Sequence, residues 1–301
     1  METVQKLNET WGIEDALSVV SGKGDMPTVE VCNALGKATI ALQGAHIVSF
    51  QPNGEEPVIW MSDDATFATG KSLRGGAPIC WPWFGPHGSD SSLPGHGPAR
   101  TVDWKIIASE ALADGRTRVD FEMLQNDKTK AMCGHDLSVQ LHVMVGVTLE
   151  IALQTKNLGK TSFTLGQALH TYFHVGDVRN VSVKGLEGCE YLDKMDGFSR
   201  KVQDGAVKIT EETDRVYVGT GNTMCLIDPD LKRKIIIQNQ GSASAIIWNP
   251  WIETANKMGD LGIDGYLNML CVETANAVDD VIELAAGASY VMATEYRVEQ
   301  V

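Results

Sequence analysis

No window of the sequence approaches the roughly 18 uninterrupted apolar residues of a membrane-spanning helix. Its first residues, Met1 to Lys6, also lack the basic-then-apolar order of a signal peptide. Both absences predict a cytoplasmic protein with no membrane partner. The 6 cysteines are scattered, the nearest two being 36 positions apart with no Cys-x-x-Cys pair. That spacing excludes a zinc framework built on such pairs and a compact disulfide scaffold, and leaves buried free thiols as the expectation. Positive charge is sparse: 25 Lys and Arg against 39 Asp and Glu give a formal net charge of −14. The densest basic run is Lys232-Arg233-Lys234, too short to reverse a field that repels phosphate backbones and anionic lipid, so no nucleic-acid partner is expected. No charge block, Pro/Ser-rich linker or internal repeat divides the chain, which predicts a single domain over residues 1–301. Nothing in the sequence indicates an oligomeric state.

Helical periodicity is also scarce. Only Glu14 to Val20 and Asp63 to Phe67, with Asp63 as an N-cap, read as short helices. What remains is 43% hydrophobic and punctuated by 30 glycines and 10 prolines. Short apolar-rich stretches separated by turn residues recur at 29–33, 38–42 and 46–50, then at 119–124, 137–154, 162–175, 224–228, 234–239, 245–248, 267–274 and 290–298. Leu137 to Val145 alternates apolar and polar before Gly146, the period of a strand with one buried face. Ten or more strands with few helices predict an all-β fold, a large antiparallel β-sandwich or barrel.

One segment, Leu73-Arg74-Gly75-Gly76-Ala77-Pro78-Ile79-Cys80-Trp81-Pro82-Trp83-Phe84-Gly85-Pro86, is too rich in glycine and proline for a regular element. Its aromatics and Arg74 suit a sugar ring bearing an anionic substituent, since guanidinium grips an oxyanion bidentately. An aromatic plug at the end of a sandwich fits the same residues. Ten positions on, His96-Gly97-Pro98-Ala99-Arg100 presents a histidine and an arginine in another stiff loop. Arg74 and Arg100 are the candidates for a locally positive pocket in an acidic chain.

Across 162–174 a strand reading puts Phe163, Leu165, Leu169 and Phe173 on one face. Gly166, Ala168, His170, Tyr172 and His174 fall on the other, with open volume beside His170. His170 and His174, about 13 Å apart on a straight strand, cannot share a metal. Glu273, in Met269-Leu270-Cys271-Val272-Glu273-Thr274, ends an apolar strand and so is expected to be partly buried, hence paired or functional. The segments Glu212 to Tyr217, with Asp214, and Trp248-Asn249-Pro250-Trp251 add polar groups beside aromatics.

Taken in order, RGGAPICWPWFGP, LPGHGPAR, LHTYFHV, DRVY, WNPW and CVETA resemble the hexose-6-phosphate mutarotases (glucose-6-phosphate 1-epimerases) of the galactose-mutarotase-like superfamily. The resemblance spans about residues 25–298. It implies the family's β-supersandwich and interconversion of the α and β anomers of a hexose 6-phosphate, glucose 6-phosphate before others. It also implies His170 as the acid, Glu273 as the base, Arg74 and Arg100 at the sugar phosphate, and His96 and Asp214 at the sugar ring. Pro98 departs from the bulkier residue usual there. Ring opening of a hemiacetal needs only an acid and a base, so neither a metal nor another cofactor is expected. On those roles Glu273 starts ionised and His170 protonated. Two alternatives stay open: an aldose 1-epimerase acting on unphosphorylated sugars, and a non-catalytic carbohydrate-binding module.

Overall fold

A computed structural model describes residues 2–301. Two large antiparallel sheets, one of nine strands and one of eight, stack face to face, and a four-stranded sheet within residues 17–52 adds Val29, Ile40 and Phe50 to the same core. Alternation dictates the stacking. In Leu137–Val145 every second residue from Leu137 is buried, and its hairpin partner Thr148–Asn157 repeats the pattern with Leu149, Ile151 and Leu153. These side chains meet Ala245, Ile247, Leu270 and Val272 of the opposite sheet in one hydrophobic core. Each aliphatic side chain taken fully out of water contributes about 1.5 to 3 kcal/mol, which fixes the register of both sheets.

Central strands of the eight-stranded sheet are buried on both faces. Met269–Asn276 lies between Ser244–Asn249 and the short strands Gln167–Leu169 and Tyr172–His174. Leu270 and Val272 enter the inter-sheet core, so Cys271 and Glu273 project to the other side, as do Ile246 and Trp248 from the neighbouring strand. Loops cover that outer face, and the space between loops and sheet is the cavity described below.

Several local readings are corrected. Residues 14–20 are not a helix: Leu17–Ser21 alternates buried and exposed residues and pairs with Pro27–Cys32, a tertiary pairing that overrides local propensity. The first helix is Val4–Trp11, capped by the Thr3 hydroxyl, which accepts from the Lys6 amide at 3.2 Å. Residues 63–67 form only a turn. Two further short helices, Asp127–Cys133 and Trp251–Met258, complete the α-helices among the described residues. The stretch 162–175 is three strands, broken at Gly166 and at His170-Thr171. All 6 cysteines are free, but only Cys80 and Cys271 are buried. No helix among the described residues is long and apolar enough to cross a membrane.

Candidate active site

Leu169 pairs with Thr274 and Tyr172 with Cys271, and the two registers are continuous. His170, in the break between the two short strands, therefore stands opposite Glu273. Its own amide is released from the ladder and donates to the Pro78 carbonyl at 3.0 Å, tying the break to the stiff loop. The side chains meet on the outer face with Nδ1 of His170 3.4 Å from Oε1 of Glu273. That contact is not aligned as a hydrogen bond, and among the described residues neither His170 Nδ1 nor Glu273 Oε2 has a hydrogen-bond partner. Aromatic neighbours hold the imidazole: Tyr172 stacks on it at 5.0 Å, while Trp248 and His96 present edges at 5.8 and 5.9 Å.

Burial governs the charge of this pair. Removal from water pushes Glu273 well above the usual carboxyl range, with nearby Lys194 opposing the shift. The same desolvation, reinforced by His96 and Arg100, pushes His170 well below the usual imidazole value. Both shifts favour the uncharged pair, a carboxylic acid beside a neutral imidazole. The proton placement expected from the sequence, Glu273 ionised and His170 protonated, runs against the desolvation of both groups. Either placement leaves one proton on the pair, so one acid and one base face the cavity.

The cavity, of about 370 Å³, is lined by all six residues singled out in the sequence: Arg74, His96, Arg100, His170, Asp214 and Glu273. Arg74 is oriented by Asp260, whose carboxylate accepts from Nε at 2.9 Å, and by the Tyr172 hydroxyl, which accepts from Nη1 at 3.2 Å. Gly76 gives its loop close passage: at φ +72°, a Cβ there would lie 2.1 Å from His46 Nε2. Arg100 donates only to the Gly95 carbonyl, at 3.1 Å, and has no carboxylate partner among the described residues. Its loop turns at Pro98, which opens a short 3₁₀ turn and accepts from the Thr101 amide at 3.0 Å. His96 is held down to about 3 by burial, then by Arg100 and Lys194. The neutral ring accepts the Gly85 amide at Nδ1, 3.3 Å away, and so carries its proton on Nε2.

Lys194, Tyr172, Trp248 and Phe84 complete the lining. Lys194 lies 3.0 and 3.3 Å from the two oxygens of Asp214 and over the Phe84 ring at 5.2 Å. Nothing in Glu190-Tyr191-Leu192-Asp193-Lys194 marks it in the sequence, whereas Tyr172 shares the strand face of His170 and was findable. In the aromatic loop Trp81 is fully buried and donates to Thr155 Oγ1 at 2.9 Å, and Phe84 faces the cavity. Asn249 of Trp248-Asn249-Pro250-Trp251 is structural, donating to the Tyr266 and Met269 carbonyls.

Comparison with known proteins bears on the fold and the family. The aldose 1-epimerase family model aligns with residues 27–297. The chain belongs to the aldose 1-epimerase family. Among relatives, a candidate glucose-6-phosphate 1-epimerase of Escherichia coli is 41% identical over 242 residues, covering 80% of each chain. One of Salmonella typhimurium is 38% identical over 268 residues, covering 88% of this chain and 89% of the relative. The crystal structure of a candidate mutarotase from Salmonella typhimurium superposes with a TM-score of 0.90 at 34% identity over 100% of both chains. This aldose 1-epimerase family fold thus extends over the full length of that neighbour.

Proposed function

We propose that the chain, acting as one domain, interconverts the α and β anomers of a hexose 6-phosphate, glucose 6-phosphate first, with His170 and Glu273 as the proton-transfer pair. The observation that carries this reading is the 3.4 Å pair at the floor of a cavity that Arg74, Arg100 and Lys194 also line. In the forward step the base of the pair takes the proton of the anomeric hydroxyl while the acid gives its proton to the ring oxygen. The C1–ring oxygen bond breaks and an open-chain aldehyde forms. Rotation about C1–C2 and reclosure on the other face return both protons, so the pair ends as it began. Glu273 as base and His170 as acid require the charged placement; Lys194 and hydroxyl hydrogen bonds from a bound sugar offset its desolvation cost.

Cations in the cavity support a phosphorylated substrate over a free sugar. In an acidic protein they supply the local reversal of sign a dianion requires, and Arg100, without a carboxylate partner among the described residues, is available to an oxyanion. His96 Nε2–H and the Asp214 carboxylate suit sugar hydroxyls as donor and acceptor. Polarimetry on freshly dissolved α-glucose 6-phosphate tests the reading: the protein should speed equilibration, and do so more efficiently than on glucose or galactose. Binding without acceleration would instead identify a carbohydrate-binding module, and preference for the free sugars an aldose 1-epimerase of broader type.

A further inference from the structure

The His170–Glu273 pair has a neighbour that anomer exchange leaves unused. Cys271 projects from the same strand face as Glu273, two positions earlier, and is the register partner of Tyr172. Its side chain is therefore diagonal to His170 across the sheet. An imidazole nitrogen, a thiol sulfur and a carboxylate oxygen consequently lie within 4.8 Å of one another. Cys271 and Glu273 are 0% and 1% exposed, and Glu273 Oε2, which no donor among the described residues satisfies, belongs to a residue lining the cavity. Buried carboxylate oxygens ordinarily find a partner, so two atoms unpartnered among the described residues, His170 Nδ1 and Glu273 Oε2, with the Cys271 sulfur beside them, point to a missing one.

We propose that His170, Cys271 and Glu273 form a binding site for a thiophilic divalent cation, of which zinc is the type, at the floor of the cavity. Zinc accepts this donor set at bond lengths of about 2.0 to 2.3 Å and in open sites leaves a fourth position for water. Ligand atoms on one tetrahedral ion at those lengths stand about 3.3 to 3.7 Å apart. The His170–Glu273 separation of 3.4 Å already meets that spacing. Cys271 reaches it by a side-chain movement on the order of 1 Å. Thiolate, carboxylate and neutral imidazole balance the charge of a dication.

Arg74, Arg100 and Lys194 line the same cavity and repel any cation, so long-range attraction does not hold the ion there. Affinity must come from the metal–sulfur and metal–nitrogen bonds. The site therefore selects zinc, cadmium or cobalt and rejects magnesium, which demands an octahedral oxygen set. A bound ion takes up lone pairs of both members of the proton-transfer pair. Metal and sugar then exclude each other, a consequence that rests on the proposed function; metal binding itself does not.

Titration of the metal-free full chain with Co²⁺ alone tests the site, because thiolate-to-cobalt charge-transfer absorption reports sulfur ligation. One equivalent should develop the band, Zn²⁺ should abolish it and Mg²⁺ should not. Cys271→Ser should lose it with affinity down at least about a hundredfold, more than outer-shell changes cause, whereas Cys80→Ser, at the other buried thiol, should keep it. His170→Ala carries the same test if serine at 271 disturbs the strand. No band in the wild-type chain, a band that survives Cys271→Ser, or displacement by Mg²⁺ overturns the proposal. A second arm measures glucose 6-phosphate anomer exchange with Zn²⁺ present, where inhibition relieved by substrate is expected. Cobalt binding at Cys271 with unimpaired exchange would overturn the role of the pair in catalysis and leave the metal site standing.

Discussion

His170 Nδ1 and Glu273 Oε1 lie 3.4 Å apart because the two residues occupy facing places in one continuous antiparallel register. Backbone pairing, rather than a flexible loop, sets their separation. A site held by paired strands keeps its geometry without closure of a lid.

Removing either member should therefore remove chemistry and spare the fold. His170→Ala and Glu273→Gln are each expected to lower kcat for anomer exchange at least about a hundredfold, the usual contribution of a general acid or base. Exchange spectroscopy by NMR measures this directly, with circular dichroism as the check on folding. Near-normal turnover in either variant would take that residue out of the mechanism.

Substrate choice should respond to different residues. Arg74→Ala and Arg100→Ala should each reduce kcat/KM for glucose 6-phosphate about tenfold or more, while free-glucose turnover changes little, since a charge-assisted bond contributes roughly 1.5 to 3 kcal/mol. Asp260→Ala, which frees Arg74 from its orienting partner, should raise KM for the phosphate substrate by a smaller factor. Equal losses on both sugars would make the arginines structural.

The pH profile follows from the directions of the two shifts. Below the lowered value of His170 the pair holds two protons and has no base; above the raised value of Glu273 it holds none and has no acid. Unshifted groups, at 6.5 and 4.5, would confine the one-proton state between those values. With both shifts, kcat/KM on free glucose should stay level as pH rises through 6.5, and its acid limb should lie below that value. His96, near 3, does not change charge in this window. A decline beginning at 6.5 would contradict the shifts.

Backbone at the histidine loop offers a stability test. Gly97 has φ +70°, and a Cβ there would sit 1.9 Å from the Trp81 carbonyl oxygen, so Gly97→Ala adds a backbone collision to the strain of a left-handed residue. Gly85, at φ +74° with nothing near its absent Cβ, should lose only the conformational part, about 1 to 2 kcal/mol. Urea unfolding of both variants should show the larger loss for Gly97→Ala. Equal losses would mean that the loop shifts to relieve the contact.

Much of this was legible in residue order. Alternation identified Leu137 to Val145, because one-sided burial stamps a period of two on a sequence, and turn residues between short apolar stretches marked the strands at 29–33, 38–42 and 46–50. Arg74 and Arg100 stood out because glycine and proline beside them exclude regular structure. Leu17–Ser21 did not, since its partner strand and not its own five residues decides its conformation. Lys194 could not be found either: a lysine in an ordinary strand-end context becomes a cavity wall only when Asp214, from another strand, is brought to 3.0 Å. Nor does any local pattern reveal that His170 faces Glu273, or that burial inverts their charge preference.

Arg74, His96 and Arg100 all come from the stretch between residues 73 and 100, whereas Glu273 lies on the strand Met269–Asn276 and His170 in the break between the two short strands paired with it. On the proposed roles, most groups that would bind the substrate and the pair that would react come from different parts of the chain, joined where Ile79–Cys80 pairs with Gln167–Leu169 and the Pro78 carbonyl accepts from the His170 amide. A graft of residues 73–100 from another member of the family would have to keep Pro78, Ile79 and Cys80 in register with 168–170 if it is to change the sugar preference and leave the reacting pair in its inherited setting.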